Sequence, residues 1–278
     1  MRPSVQQPTL FQRNLFVVIC LVSGLILWSW YQSLISERAY DKSVAPDFSA
    51  MSNVDGRKQG FIDYLYPLIA EENGKILQQR SQLLSVEQQL QSSGRVKVEQ
   101  ALWLERLAAH YAVKFDKQEM QASIRLLLRR INIIPSSLVL AQAANESAWG
   151  TSRFAIEANN YFGQWCYREG CGLVPTERDE GLSHEVKNFN SVVDSVKSYL
   201  HMLNSGKAYA LLRNLRQQRL EEEKPLTGYE LAAGLAKYSE RGTAYVASIR
   251  SLIVANHLQH YSDALYVSLA GGRSQQAF

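Results

Sequence analysis

Cysteine is scarce in this chain of 278 residues, which contains only Cys20, Cys166 and Cys171. This scarcity excludes a disulfide-rich scaffold and a zinc site built from several cysteines. The chain has five histidines, and only His184 lies near the Cys166/Cys171 pair. That pair is open to three interpretations: a short disulfide, two free thiols or part of a metal site. In an exported chain the spacing favours the disulfide, so we predict no metal.

Strong charge of one sign is also absent. The chain has 30 Lys and Arg residues against 26 Asp and Glu residues, a formal net charge of +4, and the two signs are interleaved. This pattern excludes a nucleic-acid partner as the expected ligand. Hydrophobic content of 46% with charged content of 20% excludes a disordered chain. We predict no cofactor.

One uncharged hydrophobic run, residues 15–30, follows Arg2 and Arg13, ends in Trp28-Ser-Trp30 and is followed by Tyr31. Aromatic residues at the end of such a run are typical of a membrane interface, and preceding positive charge stays in the cytoplasm. We therefore interpret residues 1–31 as a signal anchor that crosses a membrane once, rather than as a cleaved signal peptide. The remainder of the chain is then expected outside the cytoplasm, after a linker at residues 32–56.

Helical periodicity dominates the remainder. Residues 57–115 form a predicted helical region, with a possible break at Asn73-Gly74 and a possible protein partner bound through residues 57–113. Residues 116–265 form a predicted second domain, in which a helix begins near Pro135 and carries Glu146 close to its end. Short segments separated by glycines in residues 163–189 predict a small β-hairpin lobe. Residues 266–278 are interpreted as a tail.

Glu146 is the candidate catalytic residue, because it ends an apolar helix and precedes a run of aromatic and amide side chains. Glycoside hydrolysis needs a carboxylic acid that protonates the leaving oxygen, and burial favours the protonated form. Aromatic rings stack on sugars, and amides bond their hydroxyl or acetamide groups. The predicted substrate-binding residues are Gln142, Asn145, Ser147, Trp149, Asn160, Tyr161, Phe162 and Trp165. In the alternative interpretation, Glu146 pairs with Arg153 and the aromatic residues belong to the core.

The segments Ala141-Gln-Ala-Ala-Asn-Glu-Ser-Ala-Trp-Gly-Thr-Ser and Asn159-Asn-Tyr-Phe-Gly163 resemble the signature of the cell-wall N-acetylglucosaminidases, glycoside hydrolase family 73. The resemblance extends to Tyr238 and Tyr245 and covers roughly residues 120–260. It implies a mostly helical α+β fold of lysozyme type with a β-lobe across the cleft.

Catalytic roles follow from this resemblance. It implies that Glu146 is the general acid and that Tyr238 positions the substrate acetamide or water. It also implies a second carboxylate in the β-lobe, for which Glu177 fits best. The rivals of Glu177 are Asp179, Glu180 and Glu185. The cysteine pair departs from the commoner family pattern, so an acetamide-assisted mechanism without a second carboxylate stays open.

The predicted function is hydrolysis of the β-1,4 glycosidic bonds of peptidoglycan after N-acetylglucosamine, with glycan strands as the partner. Two other hypotheses remain. A lytic transglycosylase or muramidase shares the fold and the Glu-Ser pair. A non-catalytic wall-binding scaffold would use the helical region to hold a partner protein.

Overall fold

The computed structural model describes residues 44–176, 178 and 181–262, which belong to one compact unit beginning at Ser43. The predicted anchor at residues 1–31, the first part of the predicted linker and the predicted tail at residues 266–278 lie outside the described residues. Within the described part of the chain, no helix has the length and apolar character that crossing a membrane requires.

The longest element is helix α1, Val54–Ser93. It begins where the Asn53 side chain accepts a bond from the Asp55 amide, and it ends at Gly94, whose φ is +67°. The possible break at Asn73-Gly74 does not occur. Instead, the buried Asn73 side chain donates to the carbonyl of Ile134 and accepts from its amide, which fixes the chain just before the next buried helix.

Eight further α-helices follow among the described residues. They are α2 Val98–His110, α3 Met120–Arg130, α4 Ser136–Ser147, α5 Arg153–Ala158, α6 Val192–Ser205, α7 Ala210–Glu221, α8 Gly228–Leu231 and α9 Thr243–Ala255. Two short 3₁₀ turns, Lys207–Tyr209 and Ala232–Leu235, precede α7 and follow α8. Helix α4 is the central one, since every residue from Ser136 to Ala144 is buried. Its alanines allow close packing, as their small side chains predict.

A small antiparallel sheet interrupts the helices. Its strands are β1 Trp165–Cys166, β2 Gly172–Leu173 and β3 Glu185–Lys187, in the order β1-β3-β2. A disulfide joins Cys166 to Cys171, which confirms the predicted pairing. Gly172 is required at its position, because a Cβ there would lie 1.9 Å from the Val186 carbonyl oxygen. The mostly helical α+β class with a small β-lobe is thereby confirmed.

Helix α1 contributes to both buried clusters of the described chain. Phe61 of α1 stacks on Tyr161 with ring centroids 5.9 Å apart, and its ring meets the edge of Trp149 at 5.5 Å. Further along α1, Leu83 joins Leu104 of α2 and Leu127 of α3 in a second buried cluster. Buried contacts of this second cluster cross the predicted boundary at residues 115/116, and the division into domains stays a prediction. Helix α1 lies directly behind the segment that carries Glu146.

Candidate active site

Glu146 occupies the last turn of α4, and the backbone turns sharply just after it. Three consecutive residues, Ala148, Trp149 and Gly150, have φ values of +50°, +60° and +80°. The buried Ser147 hydroxyl donates to the Ala143 carbonyl at 2.6 Å and accepts from the Gly150 amide at 2.8 Å. Left-handed backbone at non-glycine residues is costly and concentrates at functional sites. The turn ends the helix and leaves the Glu146 side chain half-buried.

Gly150 explains the Trp-Gly pair of the motif. Its φ of +80° favours glycine, and a Cβ there would lie 2.4 Å from the ring of Phe48. Phe48 is itself buried and packs edge-on against Phe61 at 5.6 Å. A residue before α1 therefore closes the underside of the turn that follows Glu146.

The two oxygens of the Glu146 carboxylate have different surroundings. Oε1 accepts from the Tyr245 hydroxyl at 2.7 Å and from the Asn145 amide at 3.1 Å. Oε2 faces Gly163, where a Cβ would lie only 3.2 Å away. Among the described residues, both hydrogen bonds to the carboxylate go to Oε1, so Oε2 is the oxygen available to a ligand. Gly163, with φ +61°, leaves the space for it.

A chain of buried hydrogen bonds holds Tyr245 in place. The Gln142 amide donates to the Tyr245 hydroxyl at 2.8 Å, and the Tyr199 hydroxyl donates to the Gln142 carbonyl oxygen. Burial, followed by the nearby Glu146 charge, raises the pKa of Tyr245 above its ordinary value. Burial also raises the pKa of Tyr199. Both phenols keep their protons, so the hydrogen bonds run in one direction, from Tyr199 through Gln142 and Tyr245 to Glu146.

Tyr238, the second predicted catalytic residue, lies beside this chain. Its ring stacks on Tyr245 with centroids 5.5 Å apart and an interplanar angle of 9°. Its hydroxyl donates to the Phe162 carbonyl at 2.5 Å, and burial raises its pKa well above the ordinary value. Because its proton is already engaged, Tyr238 offers lone pairs, and an amide N–H is the group that these would bind.

The Asn159–Gly163 segment is a supporting turn. The buried Asn160 side chain donates to the carbonyls of Gln164 and Lys187 and accepts from the amides of Phe162 and Gln164. Asn159 takes a φ of +50° at the end of α5, and its amide donates to the Phe189 carbonyl at 3.0 Å. The adjacent asparagines therefore tie the turn to β3 and place Gly163 against Glu146.

Burial divides the predicted substrate-binding residues into two groups. The structure buries the side chains of Gln142, Ser147, Asn160, Tyr161 and Phe162 to 1% exposure or less. In this arrangement they support the site from beneath. Trp149 and Asn145 are half-buried, and Trp165 is 54% exposed and stacks on His184 at 3.9 Å. Contact of any of these residues with a sugar stays a prediction, and Trp165 presents the most accessible ring.

The rivals of Glu177 include one described carboxylate. Glu185 is 6% exposed, and its oxygens accept the amides of Gly170 at 3.0 Å and Gly172 at 2.7 Å. These two bonds lower its pKa. Glu185 therefore fixes the disulfide loop, which leaves it poorly placed to activate water. Glu177, Asp179 and Glu180 lie outside the described residues.

The alternative pairing of Glu146 with Arg153 does not occur. Arg153 instead pairs with Glu157 at 3.1 Å on the surface of α5. Neither Tyr245 nor Tyr199 is among the residues for which the sequence predicts a role. Tyr245 lies within the segment that resembles the family, seven positions after Tyr238. That resemblance is the sequence feature that could have indicated a role for Tyr245. Nothing in the sequence around Tyr199 indicates its bond to Gln142.

Comparison with known proteins identifies the family to which this chain belongs. Residues 121–258 match the glucosaminidase family, described as mannosyl-glycoprotein endo-β-N-acetylglucosaminidase. The chain is also 31% identical over 210 residues to the protein bax of Escherichia coli strain K12, covering 76% of this chain and 73% of that protein. The chain belongs to the glucosaminidase family, and it is a glycoside hydrolase. This confirms the resemblance carried by the Glu146 and Gly163 segments and favours an enzyme over a non-catalytic scaffold.

A solved structure is also similar to this chain. It is the catalytic domain of the autolysin Auto of Listeria monocytogenes, which is 18% identical. The match covers 62% of this chain and 92% of that domain, with a TM-score of 0.35.

Proposed function

We propose that the protein hydrolyses the β-1,4 glycosidic bonds of peptidoglycan after N-acetylglucosamine, with Glu146 as the general acid. The observation that carries this proposal is the asymmetric carboxylate. Tyr245 donates to Oε1, so a protonated Glu146 carries its proton on Oε2, the oxygen beside Gly163. During cleavage that proton moves to the glycosidic oxygen as the bond from C1 to this oxygen breaks. Water then adds its hydroxyl to C1, and its remaining proton goes to Glu146 in the acetamide-assisted route or to a second carboxylate in the inverting route.

Tyr238 is the proposed partner of the substrate acetamide. Its hydroxyl proton is engaged with the Phe162 carbonyl, so its lone pairs accept the acetamide N–H. An acetamide held in this way directs its own carbonyl oxygen at C1 and needs no second carboxylate. The competing arrangement is an inverting pair of Glu146 with Glu177, whose carboxyl groups would lie about 6.5–9.5 Å apart.

Replacement of Glu146 tests the proposal. Glu146→Gln should abolish the release of reducing ends from purified sacculi while thermal unfolding stays cooperative. Glu157→Gln, a nearby exposed residue on α5, is the matched control and should keep full activity. Retained activity in Glu146→Gln would show that another group is the acid.

Product analysis with the wild-type enzyme separates the mechanisms. A reducing N-acetylglucosamine end identifies a glucosaminidase, a reducing muramic end identifies a muramidase, and an anhydro-muramyl end identifies a lytic transglycosylase. The initial anomer then decides how water is activated. Retention agrees with acetamide assistance through Tyr238, and inversion requires a base such as Glu177.

We also propose that residues 15–30 anchor the protein in the bacterial inner membrane and hold the catalytic domain in the periplasm. The uncharged run behind two arginines supports this proposal. Protease added to spheroplasts should degrade the catalytic domain. A domain that becomes accessible only after the membrane is lysed would contradict the proposed orientation.

A further inference from the structure

A group of arginines surrounds the end of α3, at the opposite end of α4 from Glu146. Their guanidinium groups bond to oxygens that carry no full charge. Arg216, 1% exposed, donates to the carbonyls of residues 129, 130, 132 and 133 and to the Asn204 side chain. Arg213 donates to the carbonyls of Leu203 and Gly206. Arg130 donates to the Ser205 carbonyl.

This group holds more positive charge than the fold neutralises. The carbonyls belong to the ends of α3 and α6, and a helix C-terminus supplies roughly half a negative charge. Within the described part of the chain, the ion pairs include none of Arg125, Arg129, Arg130, Arg213 and Arg216. Burial, followed by neighbouring arginines, lowers the pKa of Arg213 to about 10 and that of Arg216 to about 9. Repulsion between neighbouring arginines therefore contributes to the lowered pKa values of Arg213 and Arg216.

The excess charge borders a cleft of about 480 Å³ between α1, α3 and α7. Small-molecule sites have volumes of about 300–1,000 Å³. Arg80, Arg125 and Arg129 line the cleft. Arg125 is exposed, and Arg129 donates to the Asn214 side chain at 2.7 Å. Guanidinium groups bind carboxylate and phosphate through paired hydrogen bonds, so the cleft suits an anionic group.

The remaining wall indicates what the anionic group is attached to. Asn214, Gln217 and Gln218 of α7 line the cleft together with Glu221, whose carboxylate accepts from Gln217 at 2.8 Å. Amide groups can donate to and accept from hydroxyl groups, and a carboxylate can accept from them. The volume exceeds what a bare phosphate or carboxylate fills. These features match a sugar that carries an acidic substituent.

We propose that this cleft, defined by Arg125, Arg129 and Asn214, binds an acidic sugar whose carboxylate or phosphate is held by the guanidinium groups. Arg129 and Ile133 share the Arg216 guanidinium through their carbonyls, so the cleft lies near the start of α4. Glu146 is ten residues beyond Ser136, and ten residues of helix rise about 15 Å. The site is therefore separate from the catalytic carboxylate and does not rest on the proposed function.

Titration of the wild-type protein with monosaccharides tests this site. The probes are N-acetylmuramic acid, glucose 1-phosphate, neutral N-acetylglucosamine and inorganic phosphate, with binding followed by calorimetry. At least one acidic sugar should bind ten or more times more tightly than N-acetylglucosamine, and added salt should weaken it. The tighter of the two acids identifies the anionic group. Equal binding of the neutral sugar, or of inorganic phosphate and glucose 1-phosphate, would overturn the proposal.

Variants then locate the binding. The double substitution Arg125→Gln/Arg129→Gln should lower the affinity for the acidic sugar at least tenfold. Arg95→Gln/Arg106→Gln removes the same charge from two other exposed positions and should leave the affinity unchanged. An equal loss in both double variants would show a general charge effect and refute the site. Arg125→Gln alone repeats the test if the loss of the Arg129–Asn214 bond impairs folding, and an unchanged affinity in that variant also refutes the site.

Discussion

At the residue scale, the proposed chemistry rests on how the Glu146 carboxylate is oriented. Tyr245 fixes Oε1 of Glu146, and Gly163 leaves space at Oε2. The motif residues around them have mostly supporting roles. The side chains of Ser147 and Asn160 form hydrogen bonds to backbone groups. Side chains that position a reacting group are important because a small displacement of that group lowers the reaction rate strongly.

Replacing Tyr245 tests the orientation of the acid. Tyr245→Phe removes the donor to Oε1 and leaves the Gln142 amide without its acceptor. We expect kcat on sacculi to fall about tenfold to a hundredfold, because the proton is no longer held on Oε2. KM should change little, since the side chain lies beneath the cleft. An unchanged kcat, measured on protein with normal circular dichroism, would show that Tyr245 has no positioning role.

Gly163 offers a second test with a close control. In Gly163→Ala, the new Cβ lies 3.2 Å from Glu146 Oε2 at a residue with φ +61°. Gly94→Ala introduces the same strain at φ +67°, with no atom within 4 Å. Both variants should lose about 1–2 kcal/mol of unfolding free energy, measured by urea denaturation. Only Gly163→Ala should lose activity, by at least tenfold, and equal activity in the two variants would contradict this role.

At the element scale, the sequence predicted the helices well and their ends less well. The sequence indicated a helix that begins near Pro135 and carries Glu146 close to its end, and α4 runs from Ser136 to Ser147. The Asn73-Gly74 pair reads as a break because both residues disfavour helix interiors. The helix continues there because the Asn73 side chain bonds to both backbone groups of Ile134, 61 residues away. The helix propensities of neighbouring residues cannot predict a contact of this kind.

Arg216 is the side chain on which the packing of α3 against α7 most depends. Arg216→Met would leave four carbonyls without this donor. Buried acceptors without partners are expensive, so the unfolding free energy should fall by about 3 kcal/mol or more. Urea denaturation measures the change. The exposed Arg95→Met should alter stability by less than about 0.5 kcal/mol, and a similar small change at Arg216 would contradict this account.

Glu185 should give the β-lobe an acid-sensitive structure. The amides of Gly170 and Gly172 hold its pKa below the ordinary value of 4.5. A carboxylate whose pKa is lower in the folded state stabilises that state above its unfolded pKa, and the stabilisation is lost as pH falls through the folded pKa. The amide NMR signals of Gly170 and Gly172 should therefore shift below pH 4.5. In Glu185→Gln this pH dependence should disappear, and its persistence would implicate another group.

At the scale of the whole molecule, the first half of α1 belongs to the same core as the segment that carries Glu146. Phe61 of α1 is fully buried between Tyr161 and Trp149, next to Phe48. Phe61→Ala should therefore cost about 3–5 kcal/mol of unfolding free energy and reduce activity as the turn after Glu146 loosens. Leu84→Ala, at a 44% exposed position on the same helix, is the control. Normal activity and stability in Phe61→Ala would show that α1 is an independent appendage.

The sequence by itself determined the class of enzyme, the candidate acid and the short disulfide. These three features depend on residues that are close together in the chain, such as Glu146 with Trp149 and Cys166 with Cys171. Their spacing in the sequence does not depend on how the helices pack. Only the tertiary structure decided which groups surround the acid. Tyr245 is 99 residues from Glu146, and the arginines around α3 come from three helices. Contacts at such separations depend on how helices pack, because side-chain shape and burial, rather than local periodicity, select the neighbours.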